Sequence, residues 1–570
     1  MTTRESRCVG YLFSDRSHET IMTPEMFTAE QRALFGAVAA FTEKEVVPRR
    51  KEIEAKTPGL MAALLKKAGG IGALGLDIAD EHGGSGTDKT TSMLMAESIS
   101  REGGFAVSFG AHTGIGTLPI VFFGTDEQKQ RYLPALATGE KLAAYALTEA
   151  GSGSDALAAR ATATLSADGK HWILNGQKQW ITNAGFADVF IVFAKIDGTQ
   201  FTGFIVERGM PGVSIGPEEH KLGIRGSSTC TLILENVPVP VQNVLGEPGR
   251  GHRIAFNVLN VGRLKLGVFA VGGVKSILRE TLPYARERRQ FGKALIEFPL
   301  IREKFATLLA DLYALESMGY RATGAIDAYT AETGKGMEAL EELNIESSIL
   351  KVFGSELLGR AADEALQILG GYGYMEDYPL AKVYRDVRIN RIFEGTNEIN
   401  RMLVPGVLLK RAMKGQLPLM DAFQAASASV SLPEDVVDRA TVQARTLALI
   451  LTGRAAMQFM QGLEEEQEAL AALADIHQAA FGLDSVRRRL VQADNQALHL
   501  PLARAYAIQE MDRLIARAGR FALDLGGAEL HAELAPLLAP LPVSRTAALR
   551  EVATRYVERG QYWLGAGTVA

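Results

Sequence analysis

The segment Tyr384-Arg-Asp-Val-Arg-Ile-Asn-Arg391-Ile-Phe-Glu394-Gly-Thr-Asn-Glu398 sets a carboxylate, Glu394, between an apolar pair and a glycine. A carboxylate in that position is drawn partly out of water, which raises its pKa and makes it a usable proton acceptor. A helix also starts here, with Thr396 as the residue type of an N-cap, and a negative charge at a helix start suits the helix dipole. Periodicity alone leaves Glu394 open between base and decoration.

Four other segments carry residue types that could hold a ligand. Tyr145-Ala-Leu-Thr-Glu-Ala-Gly-Ser-Gly-Ser-Asp155 combines glycines that let a ligand approach the backbone with the hydroxyls of Thr148, Ser152 and Ser154; an ordinary Gly/Ser loop has the same composition. Gln179-Trp180-Ile-Thr182-Asn-Ala-Gly185 carries one of only three tryptophans. An indole beside a hydroxyl could wall a planar ligand, and equally could be core. Arg286-Glu-Arg288-Arg289-Gln290-Phe291-Gly292-Lys293 offers planar guanidinium forks suited to phosphate and a ring to stack on, or a solvated helix end. Gln367-Ile-Leu-Gly370-Gly371-Tyr-Gly373-Tyr374 closes a helix in glycines, as many plain caps do.

Other chemistries are excluded by absence. There is no G-x-x-x-x-G-K-[ST] loop, no H-E-x-x-H helix and no G-x-S-x-G elbow, and nine histidines and two cysteines in 570 residues indicate no metal centre. A net charge of −5 gives no basic field for nucleic acid. Although 47% of residues are hydrophobic, no uninterrupted apolar run approaches the ~20 residues of a membrane span. Cys8 and Cys230 read as free thiols of a cytoplasmic protein, and residues 1–22 as a disordered leader that lacks a secretory apolar core.

The elements that must position these residues follow an α, β, α order. Helical periodicity runs through residues 23–143, beginning at a Thr28-x-x-Gln31 capping box. Residues 144–250 change to strands, clearest at 187–194, 201–206 and 231–234, with Asp197-Gly198 as a turn. Helices return over 251–412, a Gly/Ser/Ala linker spans 413–432 with a capping box Ser431-x-x-Glu434, and residues 433–570 form a further helical domain without a catalytic motif. The apolar face of residues 436–460 has modest basic content, which favours packing in a dimer over lying on a membrane surface.

Taken in this order, YALTEAGSGSD, QWITNAG, RERRQFGK, QILGGYGY and RIFEGTNEIN resemble the acyl-CoA dehydrogenase family, over about residues 25–411. The segments Leu222–Cys230 and Val258–Arg263, with the added C-terminal domain, resemble the very-long-chain branch. The resemblance implies a multidomain α+β fold: an N-terminal helical domain, a middle β-barrel-like domain, a four-helix bundle and an extra helical domain. It implies FAD-dependent α,β-dehydrogenation of an acyl-CoA to trans-2-enoyl-CoA, the first step of fatty-acid β-oxidation, with an electron-transfer flavoprotein as electron acceptor.

By residue-by-residue match, Glu394 is the α-proton base. In isovaleryl-type members the base stands on the bundle helix beside the position of Arg263, where this chain has Gly262. Tyr145, Leu147, Thr148, Ser154, Trp180 and Thr182 match flavin contacts; Arg288, Gln290, Phe291, Gln367 and Gly371 match residues that hold FAD across a subunit interface, which implies a homodimer. Thr396 and Glu398 match further FAD contacts, and Ser154, Asn260, Arg263 and Gly395 match the substrate neighbourhood. Small residues at 107–112, where medium-chain members are bulkier, imply a deep cavity for a long or very long acyl chain. An oxidase-like enzyme and a low-activity assembly protein on the same fold stand as alternatives.

Overall fold

The computed structural model describes residues 9–13, 20–428 and 430–565. Two compact units divide them, one of Ala29–Lys265 with Arg385–Ile389, the other of the remaining residues.

In the first unit the helices Ala29–Phe41, Leu60–Gly70, Lys89–Ser98, Gly103–Gly110 and Asp126–Thr138 precede the sheet. Thr125 and Gln128 form a reciprocal capping box on the last of these, and Asp88 and Glu102 cap the two before it through side-chain oxygens. A π-helical turn, Ala111–Gly116, contains His112, which is fully buried. His112 Nε2 lies 3.0 Å from Leu136 O, and Nδ1 accepts the Ala143 N–H at 3.0 Å, so one ring ties a helix to the first strand.

The strands are β1 (Ala143–Ala146), β2 (Thr162–Leu165), β3 (His171–Thr182), β4 (Val189–Ile196), β5 (Gln200–Glu207), β6 (Val213–Ile215), β7 (Thr229–Pro240) and β8 (Val244–Leu245). They form one sheet in the order β6-β7-β3-β2-β4-β5-β8, with β1 parallel to the first half of β4. The ends β6 and β8 do not pair with each other, so the sheet is open and the expectation of a barrel-like domain is corrected. Both faces are covered. Val189, Ile191 and Phe193 of β4 enter one apolar cluster with Tyr132 and Leu136, while Phe190, Val192 and Ala194 enter another with Phe204 and Leu232. Burial on both faces is why β4 reads as a continuous hydrophobic run instead of an alternating one. Asp197 and Gly198, at φ 51° and 73°, make the tight turn between β4 and β5.

The second unit holds long helices: Gly251–Glu287 from Leu266 onward, Pro299–Thr333, Asn344–Leu369 and Asn397–Met413 as a bundle, followed by Val436–Phe459, Gln467–Gln492, Gln496–Glu533 and Arg545–Arg559. A Cβ on Gly267 would lie 2.9 Å from Leu350 Cβ, and Gly354 faces the Gly267 Cα, so bare backbone lets two bundle helices approach closely. The bundle and the added helices belong to one unit, because buried groups such as Arg489 and Glu316 pair between them.

Three expectations change here. Residues 9–13 are not a disordered leader: Gly10–Phe13 is a helical turn whose buried Tyr11 lies edge-on to His477 and against Phe481. Cys8 lies outside the described residues. The 413–432 linker contains a helix, Leu419–Ala428, because Leu419 and Phe423 stand one turn apart and are buried, with the Phe423 ring against Gly453. The helix that follows begins at Val436 and is capped by Asp435, whose carboxylate accepts the Val437 and Asp438 N–H groups; Ser431 does not cap it. Among the described residues, Gly103–Phe123 and Gly251–Glu287 contain stretches apolar enough to match a membrane span, and 72% of each stretch is buried in the protein, as core helices are.

Candidate active site

Glu394 lies on a short turn between the 3₁₀ segment Arg388–Arg391 and the helix Asn397–Met413. Its backbone is left-handed, at φ 58°, and Gly395 follows at φ 79°. A non-glycine residue held in that region costs of order 1–3 kcal/mol and persists only where its surroundings fix it. The fixing groups are present. Asn400 Nδ2 donates to the carbonyl oxygens of Glu394, Gly395 and Thr396 at 3.4, 2.8 and 3.0 Å. Lys351 Nζ donates to Gly395 O and to Asn397 Oδ1, both at 2.7 Å. The Thr396 hydroxyl accepts the Ile399 N–H at 3.3 Å, which makes it the cap expected from its type.

Outward from the turn, Asn397 Nδ2 donates to Glu356 Oε1 at 3.0 Å, and Arg401 pairs with Glu356 and Asp475 at 2.8 Å each. Burial pushes the Glu356 carboxyl up, but the hydrogen bond and charge of Arg401 outweigh it, so the group ends below the usual range. Glu398 is exposed on the first turn of the helix, its carboxyl lowered by a hydrogen bond to its own backbone.

In the same unit Arg288 and Gln367–Gly371 come together. The Arg288 guanidinium lies over the Tyr372 ring at 5.7 Å, and Tyr284 OH donates to Leu369 O at 3.2 Å. Strands β9 (Arg289–Gln290) and β10 (Lys293–Ala294) form a hairpin whose turn residues, Phe291 and Gly292, both have positive φ. The turn holds Phe291 94% exposed, with Arg288, Gln290 and Gln367 also exposed. A phenylalanine on a strained tip with its ring in water is unusual for a solvated helix end.

In the other unit, β3 carries Trp180 through a register break between Lys178 and Ile181, with Trp180 at φ 59°. The bulge re-aims the indole outward, leaving it 60% exposed, so Trp180 is not a core tryptophan. Thr148 and Thr182 are half-buried and Ser154 is exposed. Added Cβ atoms at Gly151 and Gly153 would meet nothing within 4 Å. Tyr145 and Leu147 differ from expectation: both side chains are buried in the apolar cluster, Tyr145 edge-on to Phe193. Their side chains serve the core, which leaves the main chain as their contribution to a ligand.

Two residues that sequence reading passed over hold this loop. Lys178, fully buried, donates to Leu147 O at 3.2 Å and Glu149 Oε1 at 2.6 Å, and Glu149 also accepts the Arg160 and Ala161 N–H groups. Burial pushes the Glu149 carboxyl up, and these donors outweigh it, while burial lowers the Lys178 ammonium. The signal available was a lysine among strand residues that otherwise alternate. Asn260 and Arg263 are buried on the helix Gly251–Glu287, bonded to each other at 2.9 Å. That burial does not suit Arg263 to a solvent-borne phosphate. Among the described residues no cluster of His, Cys, Asp or Glu could hold a metal ion.

In one unit an outward-facing indole with hydroxyls beside open glycine backbone, and in the other a guanidinium with an exposed phenyl ring, are each residue types that fit FAD. Comparison with known proteins agrees with that chemistry. The family descriptions "Acyl-CoA dehydrogenase, N-terminal domain", "middle domain" and "C-terminal domain" match residues 28–140, 144–237 and 249–409, and a further C-terminal domain description matches 443–526. A probable acyl-CoA dehydrogenase of Bacillus subtilis is 48% identical over 501 residues, 85% of this chain and 84% of that protein. The very long-chain specific acyl-CoA dehydrogenase of Homo sapiens is 41% identical over 344 residues, 59% of this chain and 51% of that protein. A crystal structure of acyl-CoA dehydrogenase complexed with FAD from Bacillus anthracis superposes with a TM-score of 0.95 at 43% identity, covering 98% of this chain and 100% of that one. With the fold and these matches in agreement, the chain belongs to the acyl-CoA dehydrogenase family and is an enzyme of that kind.

Proposed function

We propose that this enzyme oxidises a long or very long acyl-CoA thioester to the trans-2-enoyl-CoA, the opening step of fatty-acid β-oxidation, with Glu394 taking the α proton. The left-handed turn at Glu394 and Gly395, fixed by Asn400, is the observation that carries the reading. FAD, when bound, supplies the acceptor for the hydride that leaves Cβ. An α C–H is a weak acid, so removal of its proton needs a base held at a defined point and a donor for the developing enolate oxygen. Glu394 supplies the first through its carboxylate and the second through its backbone N–H. Trp180, Thr148, Ser154 and Thr182 would hold the flavin, and Arg288, Gln290, Phe291, Gln367 and Gly371 would hold the rest of the dinucleotide in a homodimer. Thr396 and Glu398 would extend that binding, and Gly395, Asn260 and Arg263 would serve the substrate.

Preference for long chains is supported by the likeness to the very-long-chain relative and by the small residues at 107–112. An electron-transfer flavoprotein takes the electrons, in the cytoplasm. The buried face of the helix Val436–Phe459, whose Thr452 bonds His477 at 2.9 Å, is used by packing within its unit, which favours a protein role for the added helices over membrane contact. The test is anaerobic titration of the purified yellow protein with acyl-CoAs from short to very long. Bleaching of the flavin band that is steepest for long chains supports the reading; no bleaching with any chain overturns it, and rapid reoxidation in air identifies an oxidase.

A further inference from the structure

We propose that Lys351 is a positioning residue for the proton-abstracting step, holding the Glu394 turn in its left-handed form through the Gly395 carbonyl. The inference rests on the reading of Glu394 as the base.

Lys351 stands in the helix Asn344–Leu369 and is fully buried. Withdrawing an ammonium from water costs several kcal/mol unless hydrogen bonds satisfy it, and an unbranched apolar side chain would fill the same space without that cost. What the cation holds is therefore informative. Among its acceptors are two neutral oxygens on either side of Thr396, Gly395 O and Asn397 Oδ1. Gly395 O receives two donors, Lys351 and Asn400, which occupies both lone pairs and fixes the plane of the peptide that follows the base. Asn397 is held in turn from the same helix face, by Ser355 at 3.2 Å and Glu356 at 3.0 Å. Ser355 and Glu356 lie about one turn beyond Lys351, so a single rigid helix dictates where the turn sits.

Without Lys351 the Gly395 peptide keeps only the Asn400 contact, and Glu394 can relax from φ 58° toward the right-handed region that its side chain prefers. That rotation swings the carboxylate away from its working position. A displacement of about 1 Å at a reacting group costs on the order of 10²-fold in rate.

The experiment compares the holoenzyme with Lys351→Met, Lys351→Gln and Glu394→Gln, and with Lys351→Met combined with Glu394→Gln. Four quantities are read: FAD content, affinity for an acyl-CoA, the rate of flavin bleaching, and the long-wavelength charge-transfer band of a 3-thia-acyl-CoA, which forms only when its acidified α proton is removed. Lys351→Met is expected to keep FAD and acyl-CoA affinity, lose roughly 10- to 100-fold in bleaching rate and weaken the band. Lys351→Gln, which retains an N–H donor, recovers part of the loss. In the Glu394→Gln background Lys351→Met is expected to cost nothing further, because groups that act as a unit are non-additive. Equal losses in both backgrounds, or wild-type behaviour of Lys351→Met, overturn the inference. So does failure of both Lys351 variants to fold with FAD, which assigns the residue to the fold alone. Should Glu394→Gln keep the wild-type band, the base reading itself fails, an outcome distinct from any failure of Lys351.

Discussion

Lys351 and Arg489 are two buried cations of the same unit that hold different kinds of partner. Lys351 donates to two neutral oxygens of one turn. Arg489 meets full charges: Glu25 at 2.6 Å and Glu316 at 2.8 Å, with its guanidinium 4.5 Å from the centre of the Tyr313 ring. Glu316 in turn accepts from Lys275 at 2.5 Å and from Tyr562 OH at 3.0 Å. Burial pushes the Glu25 carboxyl up, yet the charge and hydrogen bonds of Arg489 outweigh it and bring it down to about 2. One network joins the N-terminal residues, the bundle and the added helices; the other fixes a few backbone angles. A buried charge met by counter-charges clamps segments together, whereas one met by dipoles sets a local conformation.

The contrast can be broken at several points, the largest first. Glu394→Gln keeps the shape of the turn and removes the base, so turnover is expected to fall by roughly 10²-fold or more with FAD retained, measured by anaerobic flavin bleaching. Near-normal turnover would mean that the turn is held for another purpose. Arg489→Met leaves Glu25 and Glu316 without their central cation and is expected to lower unfolding stability by about 3–5 kcal/mol in urea denaturation. Its folded fraction should remove the α proton of a 3-thia-acyl-CoA at the wild-type rate. A loss like that of Lys351→Met would show that the two networks are not separate in function.

A smaller effect is expected with pH. Burial pushes His112, His477 and His499 down from 6.5 to about 4 in the folded protein. Between those values the unfolded chain binds protons that the folded protein refuses, so the histidine contribution falls as pH is lowered from 6.5 toward 4 and is fully lost below. Glu25 adds a further loss at lower pH, as pH falls from 4.5 toward 2. Urea midpoints across pH should show the slope, and His477→Asn should reduce it by about a third, one titration of three. A flat profile from 6.5 to 4 would contradict neutral buried imidazoles. Smallest is Tyr11→Phe, which removes the 3.3 Å contact to His477 Nδ1 and is expected to cost about 0.5–1.5 kcal/mol by the same assay. No change would place the hold of residues 9–13 in apolar packing and the Val9 N–H bond to Glu346 Oε1 at 2.6 Å.

Much of the site was legible along the chain because its parts are local. Glu394, Gly395 and Thr396 are consecutive, and the cap at Thr396 and the turn at Asp197-Gly198 depend on neighbours a few residues away. Trp180 was visible as a residue, but its outward aim depends on a bulge in the pairing of β3 with β7, which no pattern in one strand displays. Lys351 was not legible as a buried group: a lysine in a helix reads as solvated until the packing shows otherwise. The helix Leu419–Ala428 looked like linker because Gly415 and Pro418 precede it and Ala and Ser fill its second half, and Gly453 opposite Phe423 gives it a packing partner.

The sequence by itself determined the order of the elements, the residues of the Glu394 turn and the family, since motif, cap and periodicity are properties of adjacent residues. Tertiary structure decided that the sheet is open, that the added helices share one unit with the bundle, and that Tyr145 and Leu147 serve the core. It also decided which buried cations grip the backbone. Burial and pairing at long separation are set by packing, and a linear pattern carries no measure of either.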